Sequence, residues 1–318
     1  MIAYMSLFAA LLCGCSGGDI VSHSQVDVTI SMNHETRAVV SDRNISSLDV
    51  LAFRAETGVL DSHVRVFADQ VTFQVTGEIE IFWFVAANAP EGTFDDVTDV
   101  DGLSSVVYRL DSFVDVPMST SGVDTFHGGE TMVVSFDRLL SRVVLDTVIP
   151  SFLASGFEDS AVTLDAVYLI NVNGTVPFLA AAAAGDVWYN RSGRETLASP
   201  LSGLLVTDAG VSLDGNAVSG PWVFYCCPNP VDNDIVTTDG GQWLPRNTRL
   251  VVEVSIDGVR NYYPVTLPAM ECNVSYTISN LVLLGPGSSS PDVPPSRNVL
   301  SFTVSVNPWL SDATDLVL

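Results

Sequence analysis

"LVVEVSIDGVRNYY", residues 250–263, is the stretch on which the reading of the fold turns. Val252, Val254 and Ile256 alternate with Glu253, Ser255 and Asp257, the period-two pattern of a strand with one apolar face. Asp257-Gly258 then supplies the left-handed backbone that a two-residue hairpin turn requires. An antiparallel hairpin is expected here. Outward from it the same signals recur in "VLAFRAETGVL" (50–60), "VRVF" (64–67), "VTFQV" (71–75) and "EIEIFWFV" (78–85). Short β-branched and aromatic runs separated by turn residues have the spacing of β-sandwiches. Helical signal is thin. "PFLAAAAAGDVWYN" (177–190) predicts a short alanine helix stopped at Gly185, and "FDRLLSRVVLD" (136–146) fits either period.

The chain has 318 residues, enough for two domains with separate cores. Its 47% hydrophobic and 16% charged content excludes a disordered protein. A net charge of −24 argues against nucleic acid and against anionic lipid held by a basic patch. All 13 basic residues are arginine, so a P-loop lysine, Schiff-base chemistry and lysine isopeptide cross-links are excluded. Of five cysteines, Cys226, Cys227 and Cys272 lie far from the start, with no zinc-type spacing. They read as buried free thiols, or as one pair linking Cys226 or Cys227 to Cys272.

A weak repeat organises the chain. "VDVTISM" (26–32), an arginine with apolar residues, and a strand carrying Leu48-Asp49 are echoed by "MVVSFDRLLSRVVL" (132–145) and Leu164-Asp165. This puts the second domain's first strand near Met132 and makes the Ser/Gly-rich segment 119–130 a linker. A Pro/Ser/Gly loop, 285–298, isolates a last strand in which Leu300, Phe302, Val304 and Val306 share one face. Such a strand completes its own sheet or reaches a neighbour by strand addition.

The first residues, "MIAYMSLFAALLCGCSGGD", carry a signal-type apolar run too short for a transmembrane helix. The run ends like a lipobox, with Cys15 after Gly14 as the acylated residue, although no basic residue precedes it. Several acyl chains at Cys15 would anchor the protein firmly.

Catalytic signatures are absent. His23, His34, His63 and His127 are scattered, and no metalloprotease, hydrolase-elbow, dinucleotide or EF-hand motif occurs. The acidic run 95–102 reads as a solvated loop rather than a calcium site. Trp188, Trp222 and Trp243 stand in loop contexts and are candidates for stacking on sugars. No cofactor and no enzyme activity are expected; a hydrolase with an unrecognisable site is the weakest alternative.

Taken in order, the lipoprotein start, Thr36-Arg37-Ala38 after an alternating strand, "FVAANAP" (84–90), "DVPMS" (115–119), "MVVSFDRLLSRVVLD" (132–146) and the ending "YTISNLVLLG…LSFTVSVNPW" resemble the fimbrillins of Bacteroidales. "YCCPNP" (225–230) departs from the family's usual turn.

The resemblance implies an all-β chain of two transthyretin-like β-sandwich domains of antiparallel Greek-key type, with a few short helices. Residues 1–14 would be a signal peptide, 15–37 a propeptide, 38–128 and 129–318 the domains. It further implies lipidation at Cys15, cleavage of the Arg37–Ala38 bond by an arginine-specific surface protease, and loss of "VDVTISM". A strand from 299–318 of the next subunit, with Leu300, Phe302, Val304 and Val306, would fill the groove. Partners would be copies of the chain or other fimbrial subunits and the outer membrane; a role in adhesion follows. A monomeric glycan-binding lipoprotein, or an uncleaved anchor or tip component, is the competing expectation. Four buried apolar side chains at about 1.5–3 kcal/mol each would contribute roughly 6–12 kcal/mol before ordering costs. Excision removes three acids and one arginine, moving the charge from −24 only to −22, so the switch would be topological.

Overall fold

The structure, a computed structural model, describes residues 24–32, 44–152, 156–157, 159–179, 183–213, 216–233, 242–295 and 299–309. Strands dominate it, and four principal sheets form two sandwiches. Sheet one runs β4 (Gln70–Thr76), β1 (Gln25–Met32), β8 (Glu130–Val134). Sheet two runs β3 (Leu60–Val66), β2 (Leu48–Arg54), β5 (Glu80–Ala87), β7 (Met118–Thr125), β9 (Asp137–Arg138). Val28, Ile30, Val50, Phe73, Trp83 and Val85 meet between them.

The second sandwich repeats this plan. Sheet three runs β16 (Val218–Cys226), β10 (Ser141–Pro150), then β19 (Val274–Ile278) and β20 (Leu281–Leu283) end to end. Outermost lie β21 (Leu300–Ser301) on β20 and β22 (Val304–Pro308) on β19. Sheet four runs β15 (Val206–Ser212), β11 (Val162–Ile170), β17 (Arg249–Ile256), β18 (Val259–Thr266). The hairpin that opened the reading is β17–β18, with Asp257 at φ 49 and Gly258 at φ 77 in its turn.

Order β4-β1-β8 over β3-β2-β5-β7 corresponds to β16-β10-β19 over β15-β11-β17-β18. Leu48-Asp49 and Leu164-Asp165 therefore stand on equivalent strands, β2 and β11. The repeat's first strand differs from expectation. "MVV" (132–134) belongs to β8 and pairs with β1, so the second unit opens on β10 at Ser141, not near Met132. Segment 119–130 is no linker: most of it is β7, paired along its length with β5, and the change of unit falls after Arg138. Alternating apolar residues look alike whether they open one sandwich or close another; only pairing distinguishes them. The sheets are also not purely antiparallel, since β1–β8, β10–β19 and β10–β20 run parallel through long crossovers.

The outer face of sheet two is covered as well. Leu51, Phe53 and Phe84 pack with Phe94, Leu110 and Phe178 in the larger core, which is why β2 is apolar on both faces. This core crosses from one unit to the other. β6 (Val107–Arg109) pairs with β13 (Thr175–Pro177), the Phe94 and Phe178 rings meet edge-on at 5.1 Å, and Ser119 Oγ donates to the Phe178 carbonyl at 2.8 Å. Two short helices, α1 (Val100–Ser104) and α2 (Leu201–Leu205), complete the main elements.

Described residues of the expected alanine helix are not helical: Pro177 ends β13, and Trp188 pairs with Asn173. Asn173 explains this, since its Nδ2 binds the Ala183 carbonyl and its Oδ1 accepts from Gly185 N, competing with helical bonding. The described part of the 285–298 tether, residues 285–295, is also no free linker. Its Asp292 is buried between Arg246 and Arg249, and Ser288 exchanges backbone bonds with Tyr262.

Candidate assembly site

β1 lies in the middle of sheet one. It pairs antiparallel with β4 from Gln25↔Thr76 to Ser31↔Gln70, and parallel with β8 from Val28↔Glu130 to Met32↔Val134. Among the described residues, β4 and β8 have no other strand partner in that sheet. Taking β1 away therefore leaves two facing rows of unpaired N–H and C=O groups, the kind of edge that captures another strand. Val28 and Ile30 are fully buried and Val26 half-buried. On the outer side, Thr29 and Thr72 hydroxyls meet at 2.9 Å and Gln74 Nε2 reaches Asp27 at 3.1 Å.

The Gln25 end is closely fitted. A Cβ on Gly77 would stand 2.6 Å from Val26 Cγ1, so only glycine allows this approach. Gly77 N donates to Ser24 O and Gly129 N to Asp27 O, both at 2.8 Å. Gln25 Nε2 donates to Thr76 Oγ1 at 3.2 Å, and Thr76 in turn donates to Asp61 from its amide and hydroxyl. Burial works to raise the Asp61 pKa, but the Thr76 and Arg54 hydrogen bonds outweigh it, so the carboxyl ends below its usual range.

The C-terminal strand is held differently. Among the described residues β22 has one neighbour, β19, in an antiparallel register from Val274↔Pro308 to Ile278↔Val304. Leu300 and Val304 are half-buried, whereas Phe302 and Val306 are 40% and 52% exposed. The run breaks at Phe302-Thr303 into β21 and β22, so the four apolar residues do not form one continuous strand face. Its far end is pinned. Trp309 is buried, its amide donates to Asn273 O at 2.7 Å, and Arg138 donates to its carbonyl at 2.8 Å. The Arg138 guanidinium also lies 4.8 Å from the Trp309 ring centroid, and Tyr225 stacks on that ring at 5.5 Å.

Cys15, Arg37 and Ala38 lie outside the described residues. Cys226, Cys227 and Cys272 are free thiols, the first two buried and the third half-buried. Burial raises the Cys226 pKa to about 12, and burial with Asp137 and Glu271 nearby raises Cys272 to about 11. Trp188 and Trp243 come together at 5.1 Å, while Trp222 lies apart on β16. Neither of the paired rings is a free platform. Trp188 is buried and donates to Gly185 O, and Trp243 is flanked by Arg191 and Arg246 at 5.4 and 5.6 Å. Within the acidic run, Asp99 serves as the N-cap of α1, accepting from Gly102 N at 2.7 Å. Asp292 escaped the sequence reading because it carries no motif; Trp309 closes the quoted ending, but nothing local marked it as the anchor of β22.

No protein-family model and no curated protein matches the sequence. Solved structures match the fold across nearly all of it. A protein provisionally assigned to cell adhesion from Bacteroides eggerthii superposes with TM-score 0.67 at 19% identity, covering 92% of this chain and 98% of its own. A fimbrilin from Porphyromonas gingivalis W83 gives 0.60 at 14% identity, covering 90% and 98%. The tip fimbrial protein Mfa3 from Porphyromonas gingivalis gives 0.55 at 13% identity, covering 90% and 100%. The chain thus has the all-β sandwich fold of the Bacteroidales fimbrilins that its motifs resemble.

Proposed function

We propose that the protein is a structural, non-enzymatic subunit of a cell-surface fimbrium that supports adhesion. In this reading it is lipidated at Cys15 and attached to the outer membrane. An arginine-specific protease cuts Arg37–Ala38, β1 leaves, and the next subunit inserts residues from 299–318. Residues 1–14, 15–37 and the two sandwiches then serve as signal peptide, propeptide and subunit body. The observation that carries the reading is the central place of β1, the sole strand partner of both β4 and β8 among the described residues.

The donor assignment draws on two further facts. Among the described residues β22 is an outermost strand with a single neighbour, so it can leave its sheet without splitting it. Leu300, Phe302, Val304 and Val306 repeat the two-residue spacing of Val26, Val28 and Ile30. The slot's present occupant buries two side chains fully, so a donor in the same place gains about 3–6 kcal/mol from such side chains, half the sequence-based figure.

A reversible lock tests the mechanism. Thr29 and Thr72 are register partners with hydroxyls 2.9 Å apart, which makes Thr29→Cys/Thr72→Cys a disulfide candidate across β1 and β4. Oxidised and cut at Arg37, this variant should stay monomeric, then polymerise once reduced. Equal polymerisation with the bond intact contradicts removal of β1.

A further inference from the structure

Along β11 the side chains alternate: Leu164, Val167 and Leu169 enter the large core, while Ala166, Tyr168 and Ile170 form a small cluster on the opposite face of sheet four. On that face lies a polar cavity of about 350 Å³, lined by Tyr168, Arg194, Glu195, Glu253, Arg260 and Tyr262. Tyr168 is fully buried, yet its hydroxyl has no hydrogen-bond partner of normal geometry. Glu253 is buried too, with Arg260 Nε at 2.8 Å from its Oε1. Glu195 is fixed by the amides of Asn190 and Arg191 at 3.1 and 2.9 Å, and Arg194 pairs with Asp208 at 2.6 Å.

We propose that this cavity binds a neutral pyranose. A guanidinium beside a carboxylate offers donor and acceptor together, which matches adjacent sugar hydroxyls that each accept one hydrogen bond and donate another. The buried Tyr168 hydroxyl interacts with Glu253 but makes no hydrogen bond of normal geometry within the protein, and it supplies a further donor. Two tyrosine rings provide apolar surface for the C–H face of the ring. Its volume is at the small end of ligand pockets, which run from about 300 to 1,000 Å³. An anionic ligand is disfavoured: both guanidiniums are already paired, two carboxylates line the cavity, and the chain carries −24. No residue of β1, and none of Trp188, Trp222 and Trp243, is among its lining residues.

The test is titration of the full chain with methyl glucoside, methyl galactoside and methyl mannoside, and with glucuronate, followed by calorimetry or amide NMR. At least one neutral glycoside should bind saturably, and glucuronate more weakly. Glu253→Gln and Tyr168→Phe should each weaken binding roughly tenfold or more, the loss expected for one hydrogen bond to a charged or buried group. Tyr168→Phe removes one hydroxyl that makes no hydrogen bond of normal geometry, so its melting temperature should lie close to the parent's and keep the test valid if Glu253→Gln misfolds. No saturable binding of the three glycosides, tighter glucuronate, or unaltered binding by Tyr168→Phe overturns the proposal.

Discussion

Ile30→Ala tests how firmly the slot holds β1. Ile30 has no exposed surface and packs with Val28, Phe73, Val75 and Trp83, so the truncated side chain leaves a cavity. Truncations of this kind lower stability by about 2–5 kcal/mol. Ile30 sits on the strand that must leave, so the loss should fall on its departure. Two kcal/mol corresponds to roughly 30-fold in an equilibrium. After cleavage at Arg37, the variant should therefore retain its β1 peptide roughly 30-fold more weakly and polymerise sooner. Intact-mass spectrometry of the cut protein over time, with denaturant melts of the uncut chain, reads both quantities. Stability within about 0.5 kcal/mol of the parent, or unchanged retention of the peptide, refutes the packing and the exchange argument together.

Phe302→Asp with Val306→Asp alters side chains that are 40% and 52% exposed in the monomer, so monomer stability should move by only about 0.5–1 kcal/mol. Polymer yield should collapse if these residues enter a neighbour's groove; normal ladders on a gel reject the donor assignment. Asp292→Ala leaves Arg246 and Arg249 buried without their shared carboxylate and should cost about 3–5 kcal/mol in urea melts. The thiols give a pH signature. Cys226 and Cys272 hold their protons up to about 12 and 11, against 9 for ordinary thiols, so above pH 9 the unfolded chain loses protons that the folded one keeps. Stability should fall as pH rises from 9 towards 11–12, and a Cys226→Ser/Cys272→Ser variant should flatten that slope.

The hairpin β17–β18 was legible because periodicity and turn chemistry agreed within fourteen residues of sequence. The slot's contents were legible too: "VDVTISM" is a strand with Val28 and Ile30 inward. Its walls were not. β4 and β8 are brought to β1 by register, and nothing in "ETMVV" marks it as a parallel neighbour of residues about a hundred positions earlier. The same blindness placed the second unit's start two strands too early, on β8 rather than β10. Residues 285–298 looked like a free tether by composition, whereas the buried carboxylate of Asp292 and the Ser288–Tyr262 backbone bonds fix their described part to sheet four. Long-range ion pairs carry no local period. The tryptophans were found, but Trp188 and Trp243 proved to be committed to intramolecular contacts.

Central to the account is that the precursor is closed by β1 and opened by one cut. Treating the purified full chain with an arginine-specific protease, and following N-terminal sequence and SDS-resistant oligomers together, tests this most directly. The account predicts an early single cut before Ala38, loss of the segment carrying β1, and then a ladder of oligomers. Resistance at Arg37, or a clean cut that leaves only monomers, contradicts it.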